Sequence, residues 1–112
     1  MISEPKPNQP RKHTRHEIIG RVFIHNDEHL YIAPLNNISL GGVFVDKVVS
    51  IEVGQIVRVI IKSPALGEPI QAIGKVVRVE TTSRLGTAVE FDWVGPRFKE
   101  VLTSQQNASQ AA

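Results

Sequence analysis

Short runs of β-branched and aliphatic residues recur along the middle of this chain, each closed by a cluster of glycine, proline, asparagine, aspartate or serine. The first, Ile18-Ile19-Gly20-Arg21-Val22-Phe23-Ile24, ends at His25-Asn26-Asp27-Glu28, a composition that predicts a strand and a hairpin turn. Further strands are predicted over His29–Ala33, Gly42–Val45, Gln55–Lys62, Ile70–Val79 and Thr87–Phe91, with turns at the Asn37 segment, from Ser63-Pro64 to Glu68-Pro69, and at Ser83-Arg84-Leu85-Gly86. Gly74 lies inside the long Ile70–Val79 run, where a missing side chain permits the bend that a closing sheet needs. Six or so short strands with regular turns imply an all-β closed sheet. After them the period changes. Gly95-Pro96 opens a short helix, with proline at its favoured first-turn position and Phe98, Val101 and Leu102 spaced to cover one barrel end.

The flanks read differently. Residues 1–10 hold Pro5, Pro7 and Pro10 beside Asn8 and Gln9, too little apolar surface to offset the entropy of ordering, so a flexible arm is expected there. Residues 104–112 form a polar, uncharged tail with no element assigned, and residues 11–103 are left as one domain. A length of 112 residues with 41% apolar content suits a single small core. No internal repeat is visible.

Charge changes the picture more than composition does. The net charge is only +2, but residues 1–16 carry Lys6, Arg11, Lys12 and Arg15 against Glu4, which is +3 and leaves −1 on the other 96 residues. The basic character belongs to the arm, which points to an anionic ligand met there and not to a barrel that coats nucleic acid. The chain has no cysteine, which removes disulfides, thiolate metal sites and cysteine nucleophiles and fits a reducing compartment. Its apolar runs fall far short of the ~20 residues of a membrane helix. Ile2-Ser3-Glu4-Pro5 lacks the apolar core of a signal peptide, and a soluble, cytoplasmic protein is expected.

Two segments carry candidate chemistry. In Arg11-Lys12-His13-Thr14-Arg15, four residues of extended chain reach about 13–14 Å, so the two guanidiniums can act on different parts of one small ligand. Arginine matches both phosphate oxygens and the O6/N7 edge of guanine, so one residue type serves base and phosphate. Solvated charges on a tail are the bland alternative. In Asn37-Ile38-Ser39-Leu40-Gly41-Gly42, alternation on an extended segment puts Asn37 and Ser39 on one face and Ile38 in the core. The two glycines let the backbone turn tightly or approach a ligand, while an Asx or serine turn needs no ligand at all.

Arg11-x-x-x-Arg15 followed by Asn37-x-Ser39-x-x-Gly42 resembles the PilZ family, bacterial receptors for cyclic diguanylate (cyclic di-GMP, c-di-GMP). The resemblance covers roughly residues 10–103, including the Leu85-Gly86 turn ahead of Val89-Glu90-Phe91 and the terminal helix. It implies a six-stranded antiparallel β-barrel. It further implies that Arg11 and Arg15 hold guanine and phosphate, Asn37 contacts a guanine edge, Ser39 bonds phosphate or base, and Gly42 serves as the tight-turn glycine. Pro10 stands just before the first arginine, a position that in the family bears on whether one ligand or a stacked pair is bound. A leader that folds around its ligand makes binding a switch for a partner protein, with Trp93 and the adjacent 95–102 segment as a secondary contact candidate; the plainer role for Trp93 is a half-buried ring over the barrel end.

Other chemistries find less support. His13 and His16, and His25 and His29, lack a third ligand nearby, so no metal is expected. Ser39 is not in a nucleophile elbow, which needs glycine where Asn37 stands, and Gly41-Gly42 is not followed by the lysine of a phosphate-binding loop. No catalysis and no cofactor are expected. Two alternatives stay open: a PilZ-fold adaptor that binds no nucleotide, and a small barrel for single-stranded nucleic acid, for which six aromatics, several inside apolar runs, make a thin stacking platform.

Overall fold

The computed structural model describes residues 15–102; the expected arm of residues 1–10, Arg11 with Lys12, His13 and Thr14, and the tail of residues 104–112 lie outside the described residues. Six strands run β1 (Arg21–His25), β2 (Leu30–Ser39), β3 (Gly42–Val45), β4 (Ile56–Lys62), β5 (Ile70–Glu80) and β6 (Gly86–Val94). They form a closed antiparallel barrel in the order β1-β2-β3-β6-β5-β4, shut by pairing of β1 with β4. This is the expected all-β architecture. Closure leaves no unpaired edge.

Alternation builds the core. Val22 and Ile24 of β1, Val57, Val59 and Ile61 of β4, and Ala72 and Val76 of β5 point inward, while Arg58, Lys62 and Gln71 between them are exposed. A short helix, α1, is described over 98–102, where Phe98 and Leu102 join the core and Phe98 meets Phe91 edge-on at 5.6 Å between centroids. At the β1–β2 turn Asn26 Oδ1 accepts the N–H groups of Glu28 (2.9 Å) and His29 (2.8 Å), an Asx turn that fixes the hairpin.

Two expectations need correction. The first strand begins at Arg21, not Ile18: Ile19 is 88% exposed, and Gly20 passes where a Cβ would meet the Lys62 carbonyl oxygen and Ser63. The Asn37 segment is strand, not turn, because β2 passes Pro34 on its exposed side, where the Leu35 N–H still reaches the Gly20 carbonyl at 2.9 Å, and runs on to Ser39. The turn itself is only Leu40-Gly41. Gly42 opens β3 directly after that turn, paired with Ser39 across it. Among the described residues only Gly54 (φ 98°) and Gly67 (φ 86°) have positive φ, whereas a Cβ on Gly42 would run into the Val89 carbonyl oxygen of β6.

Candidate functional site

Asn37 and Ser39 share a face because of a bulge. Buried Ala33 and Leu35 would set a phase that turns Asn37 inward, but Leu35 pairs with Val45 while Asn37 already pairs with Phe44, so Asn36 is an extra residue and the phase flips. Ile38 then falls in the core with no exposure, and Asn36, Asn37 and Ser39 are half-buried. The inferred placement of Asn37, Ile38 and Ser39 is therefore observed, by a route the local alternation does not reveal.

The segment leading into the barrel is tied beside this edge. His16 N–H donates to the Ile38 carbonyl (2.8 Å) and Ile38 N–H to the His16 carbonyl (3.0 Å), an isolated antiparallel bridge. It brings Arg15 alongside β2, where its Nη1 donates to Asn37 Oδ1 at 2.8 Å. Two residues 22 positions apart in sequence thus meet at this edge. Ser39 Oγ accepts the Gly41 N–H at 3.2 Å, so the serine also holds the turn. A hydroxyl that accepts one bond still has a proton to donate.

Arg15, Asn37, Ser39 and Gly42 line one open cleft of about 450 Å³, walled by β3, β5 and β6. Arg11 lies outside the described residues. Arg78, Val77 and Glu90 are among the lining residues that the sequence does not mark as part of a site. Simple alternation from Gly74 and Val76 would send Arg78 inward, but Val76 pairs with Val89 and Arg78 with Ala88, so Val77 is a second bulge that turns Arg78 out. Arg78 pairs with Glu80, and its guanidinium lies 5.8 Å from the Phe44 ring centroid. Arg84, from the β5–β6 loop, lies 4.7 Å from the same ring and donates through Nη2 to Asn36 Oδ1 at 2.7 Å. The signal for both was only a basic residue near the barrel rim, which composition cannot separate from a solvated charge.

The cleft gathers groups that can meet an anion and a base edge. Guanidiniums from the leader and from β5 supply positive charge and planar donor forks, Asn37 an amide, Ser39 a hydroxyl, and Gly41 and Gly42 bare backbone. Glu90 is the acidic residue lining it. Trp93, expected as either a ring over the barrel end or a contact point, is half-exposed on β6 and lines a separate groove of about 230 Å³ with Pro69, Pro96 and Phe98. His29 stacks on Tyr31, and among the described residues no three His, Cys, Asp or Glu side chains are grouped as metal ligands. No described helix is long and apolar enough to cross a membrane.

The fold is similar to that of the Bacillus subtilis inhibitor of motility (MotI/DgrA), with a TM-score of 0.69 at 22% identity over 88% of this chain and 53% of that one. This chain therefore spans about half the length of that protein. No curated protein matches the sequence. The PilZ domain matches residues 9–109, nearly the whole chain and both arginine- and serine-bearing segments, so this protein belongs to the PilZ domain family, whose members serve as receptor and adaptor domains.

Proposed function

We propose that this protein is a receptor for cyclic diguanylate in which Arg11 and Arg15 close over a ligand seated on Asn37, Ser39 and Gly42. The observation that carries the reading is the contact between Arg15 and Asn37 across 22 residues of sequence, at the mouth of the cleft that Ser39 and Gly42 also line. One arginine already stands at the site, held by the His16–Ile38 bridge, so binding spends little of its free energy on positioning it. The guanidinium exchanges an amide oxygen for phosphate oxygens or the O6/N7 edge of guanine, and the freed Asn37 oxygen accepts from the base. Wrapping of the leader that carries Arg11 around the ligand is the output, because it changes the surface offered to a protein partner. The groove beside Trp93 supplies a secondary contact for that partner. The receptor acts in the bacterial cytoplasm, without cofactor and without catalysis.

Calorimetric titration tests this directly. Cyclic diguanylate should give heat with the wild-type chain and single-stranded oligonucleotides should not. Arg15→Ala should weaken binding by about 2–5 kcal/mol and Ser39→Ala by about 1 kcal/mol. Heat with oligonucleotides alone would mark a nucleic-acid binder. Absence of heat with either titrant, in a protein that keeps its β circular dichroism, would leave the adaptor role.

A further inference from the structure

An asparagine at position 37 poses a problem that an aspartate would not. A carboxylate offers acceptors whichever way it turns, whereas a carboxamide offers an acceptor on one side and a donor on the other. A guanine Watson–Crick edge presents N–H donors and needs the oxygen. While Arg15 donates to Asn37 Oδ1, the arginine itself sets the orientation. Once Arg15 turns to the ligand, something else must set it.

The bulge residue supplies that something. Asn37 Nδ2 donates to Asn36 Oδ1 at 2.8 Å, and the same oxygen accepts Arg84 Nη2 at 2.7 Å. Asn36 Nδ2 in turn donates to Asp46 Oδ1 at 2.9 Å. Both ends of this chain are ions of fixed polarity: a guanidinium can only donate and a carboxylate can only accept. Turning the Asn36 amide over would face N–H groups against Arg84 and oxygen against Asp46. Asn36 is therefore locked, and its oxygen holds the Asn37 nitrogen on the far side from the ligand. The bulge is what makes the arrangement possible, since neighbouring residues on a regular strand point to opposite faces. Arg84 is itself seated, its guanidinium 4.7 Å from the centroid of buried Phe44.

We infer that Asn36, Arg84 and Asp46 form a polarity relay that fixes the Asn37 amide with its oxygen toward the ligand, and so make the site select a guanine over an adenine edge. The inference rests on the proposed ligand reading and deepens it. Arg84 and Asp46 are positioning residues that act through Asn36. With the relay cut, Asn37 rotates freely and its nitrogen can serve adenine N1 as well as its oxygen serves guanine N1–H. A site with its polar partner mis-set loses discrimination before it loses all affinity.

The test titrates cyclic diguanylate and cyclic diadenylate into the full chain as wild type, Arg84→Ala, Asp46→Asn, Asn37→Asp, and Arg84→Ala combined with Asn37→Asp. Arg84→Ala should weaken cyclic diguanylate binding by about 3- to 10-fold and shrink its preference over cyclic diadenylate by about tenfold, the scale of one lost hydrogen bond. Asp46→Asn should act in the same direction with a smaller effect. In the Asn37→Asp background, where no amide needs orienting, Arg84→Ala should cost less than about twofold. Equal losses in the two backgrounds would overturn the relay and make Arg84 a direct charge on the ligand. Unchanged affinity and base preference in Arg84→Ala and Asp46→Asn would also overturn it, with the receptor function intact. A wild-type chain that takes up neither dinucleotide refutes the receptor function itself. Thermal melting of Arg84→Ala within a few degrees of wild type separates these outcomes from unfolding; should it melt early, the conservative Asp46→Asn decides.

Discussion

Replacing Gly42 by alanine asks whether the glycine of the site serves the barrel or the ligand. In the structure its position is set by β6: Gly42 pairs with Glu90, and a Cβ there meets the Val89 carbonyl oxygen, a backbone atom that no rotamer change can move. Strands β3 and β6 must part locally, which costs about 1–3 kcal/mol as overpacking. The Phe91 N–H to Gly41 carbonyl bond beside it, 2.9 Å long, is strained in the same movement and adds about 0.5–1.5 kcal/mol. Alanine restricts the unfolded chain and returns about 0.4–1 kcal/mol. The net loss is roughly 0.5–4 kcal/mol, and at its midpoint of about 2 kcal/mol the melting temperature falls by roughly 8–16 °C for a domain of this size. Circular dichroism melts of wild type and Gly42→Ala measure it, with Gly95→Ala as control, since a Cβ at Gly95 meets the Gln71 carbonyl oxygen at 3.4 Å and the Gln71 nitrogen at 4.0 Å, both ordinary contacts. A Gly42→Ala protein that melts like wild type but loses cyclic diguanylate would refute the steric argument and hand the glycine to the ligand.

Other outcomes follow from single contacts. Thr87 is fully buried, donates to the Lys47 carbonyl (2.7 Å) and accepts the Val49 N–H (3.3 Å), so Thr87→Val strands two backbone groups and should lower stability by about 2–4 kcal/mol in urea unfolding, where a loss below about 1 kcal/mol would contradict the assignment. Arg78→Ala, which removes an exposed guanidinium from the cleft wall, should weaken cyclic diguanylate binding by about 3- to 10-fold in calorimetry while leaving the melting temperature within a few degrees. Trp93→Ser removes a ring that is 50% exposed and should leave ligand affinity unchanged, with stability within about 1 kcal/mol; a larger loss would return Trp93 to the role of barrel cover.

The barrel was legible because its strands obey the period that physics imposes on a half-buried sheet. Runs such as Val57-Arg58-Val59 and Ile70-Gln71-Ala72 declare inside and outside directly, and Asn26-Asp27 declares a turn. What the pattern concealed sits where the period breaks. Asn36 and Val77 each insert one residue into a ladder, and from there on a reader counting in twos assigns the wrong face. Arg78 is hidden for that reason, and the Asn37 segment reads as a turn because glycines and polar residues gather there, although only Leu40-Gly41 turns. Arg84 could not be found in sequence at all, since its meeting with Asn36 depends on the β5–β6 hairpin folding back across the barrel rim. The hydrogen bond from Arg15 to Asn37 is not in the sequence reading, which sets the two segments as jaws on one ligand, because nothing in local pattern joins residues 22 positions apart.

Under the proposed function, cyclic diguanylate sits between the arginine-bearing leader and the Asn37–Gly42 edge. Amide chemical-shift mapping by ¹H–¹⁵N NMR during titration with that dinucleotide tests it most directly. Shifts concentrated at Arg15, His16, 37–43 and Arg78, with the groove beside Trp93 and Pro96 quiet and the same pattern absent in Arg15→Ala, are the predicted result. An unperturbed spectrum at saturating ligand, or shifts centred on the Trp93 groove, would contradict it.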